Sequence, residues 1–320
     1  MPSTKFGKNL PHGVYAPVLT FYKGNDEELD LETYKKHVQF VARGGVNIVA
    51  LGSMGESVQL THQERNQVVK AARSALDADS SLSQVPLIAG TGASSTKETI
   101  ELTKEAAEAG ADFAMVISPG YFAGAMSRKA IKQFFVDVAE ASPIPVLVYN
   151  YPGASAGIDI DSDLMAEIAA AAPNIVGCKL TCGSVGKLTR LTTLRDDFAV
   201  LGGFIDFLGP SLLAKAAGGI TGVGNVAPKT CAKLYKDTLA ALSGQASVSS
   251  AQDLQFIVSR ADWALAKTGI AGAKWVLDQL EGYGGKPRRP LLPFDESDGK
   301  GKQLLDDLKE ILEVEKSLGS

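Results

Sequence analysis

Eight short apolar runs recur along the chain with amphipathic stretches between them, and this repetition constrains the fold more than any other feature. The runs are continuously hydrophobic, which is typical of strands covered on both faces in a parallel sheet. Between them, Ile131, Phe134, Phe135, Val138 and Ala139 follow the spacing of one helix face. The repeating unit is therefore a strand followed by a helix. The eight predicted strands are residues 14–19, 48–51, 87–90, 113–117, 146–149, 175–179, 199–202 and 220–223.

Eight such units predict an α/β fold, a (β/α)8 TIM barrel over residues 13–242, because this barrel needs roughly 250 residues and closes its parallel sheet. The alternative, an open doubly wound sheet, usually has a G-x-G-x-x-G turn after its first strand. Here residues 20–23 read TFYK, which favours the barrel. Residues 243–320 predict a C-terminal helical extension with helices over 250–267, 270–280 and 302–318, to which we assign no separate function.

The charge balance and the cysteine content restrict the partners and the compartment. The chain has 32 basic and 36 acidic residues and a formal net charge of −4, so it lacks the positive charge with which proteins bind nucleic acid. Its three cysteines fit free thiols in a reducing compartment better than a disulfide framework. No signal peptide is recognisable, and no apolar run approaches the roughly 18 residues of a membrane span. We expect a cytoplasmic protein without a nucleic-acid or membrane partner.

The sixth predicted strand ends in a lysine. Barrel enzymes work at the carboxyl ends of their strands, and Lys179 follows the apolar run 175–178. Apolar neighbours leave an amine poorly hydrated, which favours the neutral, nucleophilic form that imine formation requires. The same pattern is compatible with a lysine that extends to solvent or pairs with a carboxylate.

Three further segments place polar groups after predicted strands. Tyr149 ends the fifth strand and can move protons if its hydroxyl lies over a bound carbonyl; the alternative is a core aromatic. Residues 52–57, GSMGES, follow the second strand. Their successive amides and the Ser53 hydroxyl can hold a carboxylate, although alone the segment predicts only a turn. A rigid turn at 118–122 presents the phenol of Tyr121.

Together these segments resemble the dihydrodipicolinate synthase/N-acetylneuraminate lyase family of class I pyruvate aldolases and related lyases. The resemblance covers nearly all of the barrel. It implies an enzyme without metal or other cofactor, which binds a small 2-oxo acid as a covalent imine on a lysine. Five motifs carry it in the same order: GSMGES at 52–57, P-x-Y at 119–121, YNYPG at 149–153, VGCK at 176–179 and GGITGVGN at 218–225, with KPRRPL at 286–291 similar to the family's C-terminal signature.

The resemblance also implies a role for each matching residue. Lys179 would form the Schiff base, and Tyr149 would be the acid/base. Ser53 would hydrogen-bond Tyr149 and help to hold the carboxylate, together with the backbone amides of Met54 and Gly55. Tyr121 would reach into the active site of a neighbouring subunit, which implies a homo-oligomer (dimer or tetramer). The far end of the substrate would be lined by Gly203, Asp206, Ile220 and Gly222.

Two departures from the family pattern bear on the substrate. The loop 153–157, GASAG, lacks the arginine with which the synthases of lysine biosynthesis grip a second carboxylate, and no bidentate clamp can be built from it. Met54 stands where relatives more often have Thr, Ser or Asn, so one side-chain donor is missing. The segment 179–190 most resembles the fungal 2-keto-3-deoxy-L-galactonate (L-threo-3-deoxy-hexulosonate) aldolases.

These features predict an aldehyde-lyase that cleaves 2-keto-3-deoxy-L-galactonate to pyruvate and glyceraldehyde. Thr181 and Asp206 can meet the hydroxyls of such a substrate. The alternatives are a 4-hydroxy-2-oxoglutarate aldolase, a dihydrodipicolinate synthase-like enzyme, and a catalytically decayed binding protein of the same fold.

Other conspicuous residues receive no chemistry. The two cysteines that flank the lysine are interpreted as small core residues, the histidines have no assigned role, and the basic cluster after the last glycines is interpreted as a solvated tail that contacts the barrel. These residues are Cys178 and Cys182, His12, His37 and His62, and Lys286, Arg288 and Arg289.

Overall fold

The computed structural model describes residues 6–7, 9–25 and 27–319. In this part of the chain, eight parallel strands form a closed barrel in which each strand pairs with its neighbours along the sequence and the last pairs with the first. This confirms the predicted TIM barrel. The strands are β1 Gly13–Pro17, β4 Asn47–Ala50, β5 Leu87–Gly90, β6 Phe113–Ile117, β7 Val146–Asn150, β8 Ile175–Leu180, β9 Ala199–Gly202 and β10 Gly218–Ile220, and a small antiparallel pair, β2 Tyr22–Lys23 and β3 Glu28–Leu29, follows β1.

The last strand lies earlier than the predicted 220–223. It ends at Ile220 because the hydroxyl of Thr221 accepts a hydrogen bond from the Val223 amide at 3.1 Å, which starts a 3-10 turn over Gly222–Asn225. Hydroxyl side chains often compete with the sheet for backbone donors in this way. The apolar residue Val223 therefore belongs to a turn at the barrel mouth.

Helices separate the barrel strands, as predicted, and their starts follow from local sequence. The Thr61 side chain and Glu64 form a complete capping box, whereas Ser95 accepts from the Glu98 amide. The helices are α1 Leu31–Arg43, α2 His62–Asp77, α3 Thr96–Glu108, α4 Arg128–Ala141, α5 Ser162–Ala171, α6 Val185–Leu191, α7 Leu208–Leu213, α8 Pro228–Leu242, α9 Val248–Glu281 and α10 Lys300–Ser317.

The extension after α8 consists of α9 and α10, which pack against each other and against α8. Helix α9 is interrupted at Gly269, whose φ of 59° and ψ of −147° are open essentially to glycine alone. This kink explains the predicted break between residues 267 and 270. Among the described residues, no helix is long and apolar enough to cross a membrane.

The barrel interior is filled with side chains, which restricts the site to the strand ends. Tyr15, Val49, Ile88, Phe113 and Leu147 are fully buried in this inner cluster. A second, larger cluster lies between the strands and the surrounding helices and includes Cys178, in agreement with its interpretation as a small core residue.

The basic cluster of the C-terminal segment is not a solvated tail throughout. The guanidinium of Arg288 donates to both carboxylate oxygens of Glu64, at 2.7 and 3.0 Å, and its side chain is largely buried. Arg289 remains exposed and pairs with Glu27. Charge alone does not distinguish the two arginines, because their partners lie more than 200 residues away in sequence.

Candidate active site

Tyr149 and Lys179 lie side by side at the carboxyl ends of β7 and β8. The parallel register pairs these two residues, so their side chains leave the sheet on the same face. The Lys179 Nζ is 4.3 Å from the centroid of the Tyr149 ring. Lys179 is only 4% exposed and forms no ion pair with any described carboxylate. The structure therefore excludes both alternatives for this lysine, a solvent-exposed amine and a paired one.

The glycine-rich turn after β4 brings Ser53 to the same place. The Ser53 Oγ lies 3.5 Å from the Tyr149 hydroxyl oxygen, at the long limit of a hydrogen bond. Within the turn, the Gly55 amide donates to Gly52 O at 3.0 Å. The Met54 amide donates no hydrogen bond within the described part of the chain. Of the two backbone donors expected for a carboxylate, Met54 is thus free and Gly55 is already engaged.

These side chains face a cavity of about 190 Å³ at the barrel mouth. Its wall includes eight of the residues expected at the site: Ser53, Met54, Tyr149, Lys179, Thr181, Gly203, Ile220 and Gly222. The sequence did not indicate the remaining residues of the wall, which are Pro17, Tyr151, Phe204, Asp262, Leu265, Ala266 and Gly269.

At one side of the cavity, Gly203 makes room for Thr181. A Cβ on Gly203 would lie 2.1 Å from the Thr181 Oγ1, so no larger residue fits without displacing that hydroxyl. The Thr181 hydroxyl is buried and has no hydrogen-bond partner among the described residues. Buried polar groups are almost always hydrogen-bonded, and an unpaired hydroxyl in a cavity wall is therefore well suited to a polar ligand.

The acid in the wall is Asp262 of α9, and not the expected Asp206. Asp206 is an exposed residue and is absent from the cavity wall. Asp262 is 4% exposed and accepts from the amides of Ile205 and Asp206 at 2.8 and 3.1 Å. Burial, reinforced by the Asp206 charge, raises the pKa of Asp262 to about 7.

Asp262 could have been found from the sequence by its helical spacing. It follows Leu254 and Val258 on the buried face of α9 and precedes Leu265 by three residues. An acid on such an apolar face indicates a buried carboxylate with a specific partner. Its position at the barrel mouth, however, depends on how α9 packs, which the local sequence does not determine.

Tyr121 does not reach the cavity of its own chain. Its side chain is 82% exposed and contacts the ring of Phe122, with 4.9 Å between the ring centroids. The expected contribution of Tyr121 to a neighbouring subunit therefore stays a prediction. Tyr151, which the sequence analysis left without a role, stacks on Tyr149 at 5.7 Å, and burial raises the pKa of its hydroxyl.

Comparison with known proteins shows the family of this chain. The model of the dihydrodipicolinate synthetase family matches residues 10–311. The chain belongs to this family. It is 41% identical to an L-threo-3-deoxy-hexylosonate aldolase of Hypocrea jecorina, over 97% of this chain and 99% of that protein.

A probable mitochondrial 4-hydroxy-2-oxoglutarate aldolase of Emericella nidulans is 42% identical, over 97% of this chain and 98% of that protein. A family member from E. coli K12, crystallised in complex with pyruvate, superposes with a TM-score of 0.82 at 28% identity, covering 94% of this chain and 98% of that chain. Family membership and the two aldolase relatives identify this protein as an aldolase, a carbon–carbon lyase, and argue against a decayed binding protein.

Proposed function

We propose that this aldolase acts through a Schiff base on Lys179 and cleaves 2-keto-3-deoxy-L-galactonate to pyruvate and glyceraldehyde. The observation that carries the proposal is the buried Lys179 amine, which has no described carboxylate partner and lies 4.3 Å from the Tyr149 ring. An amine that is not held in an ion pair is available to attack a carbonyl. The hydroxyls of Tyr149 and Ser53 are close enough to each other to pass a proton.

The placement of these groups supports the following reaction. The carboxylate of the substrate binds the Ser53 hydroxyl and the Met54 amide, and Lys179 Nζ attacks C2. Tyr149 donates its proton to the carbinolamine hydroxyl, which leaves as water and gives a protonated imine. The resulting Tyr149 phenolate accepts the proton of the C4 hydroxyl as the C3–C4 bond breaks, and the bonding electrons pass into the imine to form an enamine. The aldehyde leaves and Tyr149 returns the proton to C3; water then attacks the imine and gives one proton to the phenolate, and the carbinolamine collapses to pyruvate and free Lys179. No metal or other cofactor takes part.

The charges in the cavity wall support a sugar acid as substrate. Among the wall residues, Lys179 is the one cationic side chain and Asp262 the one carboxylate. A second carboxylate, as in 4-hydroxy-2-oxoglutarate, would find no cationic side chain in this wall other than Lys179, whose amine forms the proposed imine. Hydroxyls of a sugar acid can instead donate to Asp262 and pair with the free Thr181 hydroxyl.

Cleavage of 4-hydroxy-2-oxoglutarate is the second candidate, favoured by the 42% identity to the Emericella nidulans protein. The test is a comparison of kcat/KM for 2-keto-3-deoxy-L-galactonate, for 4-hydroxy-2-oxoglutarate, and for pyruvate with aspartate semialdehyde. We expect the sugar acid to give the highest value. A higher value for either other substrate would replace the proposed substrate and leave the lysine chemistry intact.

We also propose a homo-oligomer, a dimer or a tetramer, in which Tyr121 completes a neighbour's site. Tyr121, Phe122 and Val58 are large apolar side chains with exposed fractions of 82, 67 and 87%, and Val58 borders a second cavity that also contains Ser53 and Tyr149. Analytical ultracentrifugation of the wild type and of Tyr121→Ala tests this. A fully active monomer would contradict it.

We further propose that the protein acts in the cytoplasm, in keeping with its three free cysteines. Fractionation of the cells that produce it is the test, and recovery with the mitochondria would contradict the proposal.

A further inference from the structure

The turn that carries Ser53 has an unusual backbone. Leu51 at its start and Glu56 at its end both adopt a left-handed conformation, with φ of 57° and 54°. Residues other than glycine rarely adopt this conformation, and they do so where the surrounding structure fixes them. Residues 51–56, which we call the Ser53 turn, must therefore be stabilised by contacts with residues outside the turn.

Part of the support comes from the barrel itself. The Thr20 hydroxyl donates to Gly55 O at 2.8 Å, and the Glu56 amide donates to Ser53 O at 3.1 Å. The second bond links the backbone of Ser53 directly to Glu56. Any shift of Glu56 is therefore transmitted to the residue whose hydroxyl lies beside Tyr149.

The Glu56 side chain is bound entirely by the C-terminal extension. One carboxylate oxygen accepts from Lys274 Nζ at 2.6 Å, and the other accepts from the Arg288 amide at 2.7 Å. Both side chains of the Glu56–Lys274 ion pair have 0% exposure. The partners are 218 residues apart in sequence, so this contact exists only when α9 is docked on the barrel.

A second layer of contacts fixes the extension around this pair. Lys274 also donates to Lys286 O at 3.1 Å, and both its Nζ and the Arg288 guanidinium carbon lie 4.5 Å from the centroid of the Tyr22 ring. Arg288 holds Glu64 and donates to Gln59 O at 3.0 Å, just beyond the Ser53 turn. These contacts fix the positions of the Lys274 and Arg288 side chains.

We infer that Glu56 and Lys274 are positioning residues, whose buried ion pair sets the Ser53 turn in the geometry that binds the substrate carboxylate. The inference rests on the proposed binding of that carboxylate at Ser53 and Met54. It makes the helical extension, to which the sequence assigned no function, a part of the active site. Burying two charges costs desolvation free energy even when they pair with each other. Here the buried ion pair fixes the strained Ser53 turn.

The variant Glu56→Gln tests the pair, because it keeps the size of the side chain and an oxygen for the Arg288 amide but removes the charge opposite Lys274. The measurement is borohydride trapping of the lysine adduct over a range of ketone concentrations, with pyruvate and with acetone. Acetone forms the same imine but lacks the carboxylate. A merely structural role would reduce trapping by both ketones alike.

We expect Glu56→Gln to raise the half-saturating pyruvate concentration about 10- to 100-fold, the effect of a misplacement of about 1 Å, and to leave acetone trapping unchanged. The matched control is Arg73→Met, since Arg73 pairs with the buried Asp112 just before β6, at the opposite end of the barrel. This control variant should leave the concentration dependence of trapping unchanged for both pyruvate and acetone. If Glu56→Gln does not fold, the double variant Glu56→Gln/Lys274→Met, which leaves no unpaired buried charge, replaces it.

An unchanged pyruvate concentration dependence, or an equal loss for pyruvate and acetone, would overturn the inference. Failure of the proposed function gives a different result. In that case the wild type itself forms no adduct with pyruvate, whatever the variants do.

Discussion

The buried Asp262 carboxylate makes the stability of this protein depend on pH in a predictable way. Burial raises its pKa from the ordinary 3.8 to about 7, so the folded protein binds a proton more tightly than the unfolded chain does. The stabilising contribution is complete below the unfolded pKa of 3.8. It is lost as the pH rises through about 7, because the buried group must then ionise.

The size of this effect follows from the pKa difference. At about 1.4 kcal/mol per pH unit, ionisation of Asp262 removes about 3 kcal/mol from the free energy of unfolding between roughly pH 5 and pH 8. Unfolding entropy near 2 cal/mol/K per residue converts this, for a chain of 320 residues, into a decrease of about 4 °C in Tm.

The assay compares thermal unfolding of the wild type and of Asp262→Asn at these two pH values. Asparagine keeps an oxygen for the amides of Ile205 and Asp206 but does not titrate. We expect the Tm difference between the two pH values to shrink by about 4 °C in Asp262→Asn and to be unchanged in Asp253→Asn, an exposed acid on the same helix. Since His37, whose pKa burial lowers to about 4, is present in all three proteins, its contribution cancels. A wild-type pH dependence in Asp262→Asn would refute the reasoning.

Three further predictions concern the proposed reaction. Tyr149→Phe keeps the ring beside Lys179 but lacks the hydroxyl that we propose transfers protons, so turnover should fall about 10²- to 10⁴-fold with the fold intact; near-normal turnover would rule out the proposed mechanism. Activity should survive exhaustive dialysis against a chelator, because in the proposed mechanism the imine takes the role that a metal ion has in class II aldolases, and a loss restored by added metal would contradict this. Gly203→Ala should lower kcat/KM for the sugar acid, because its Cβ would collide with Thr181 at 2.1 Å; a fully active variant would show that this hydroxyl need not stay in place.

The features that the sequence predicted correctly are those encoded locally. Continuous apolar runs and helix caps are properties of adjacent residues, which is why the barrel was predicted, as were separate helices over 250–267 and 270–280, between which α9 is interrupted at Gly269. Lys179 and Tyr149 lie next to the last residues of neighbouring strands. Parallel strands bring their carboxyl ends to one edge, so the proximity of these two residues followed from the fold.

The features that it missed depend on contacts distant in sequence. Asp262 and Lys274 lie on a helix outside the barrel, and their positions depend on how α9 docks. The predicted contact of the basic cluster with the barrel is confirmed by Arg288, but its interpretation as solvated was wrong for this residue, because the partner Glu64 is 224 residues away. The error in β10 had a local cause, the Thr221 hydroxyl bond, which an apolar pattern does not reveal.

The most direct test of the account is borohydride trapping with pyruvate, followed by peptide mass spectrometry. Lys179 is the buried amine without a described carboxylate at the cavity, whereas Lys187 and Lys274, also buried, are paired with Asp159 and Glu56. We predict one pyruvyl adduct per chain, on the peptide that contains Lys179, and none in Lys179→Arg. An adduct on another lysine, or an unmodified Lys179, would contradict the account.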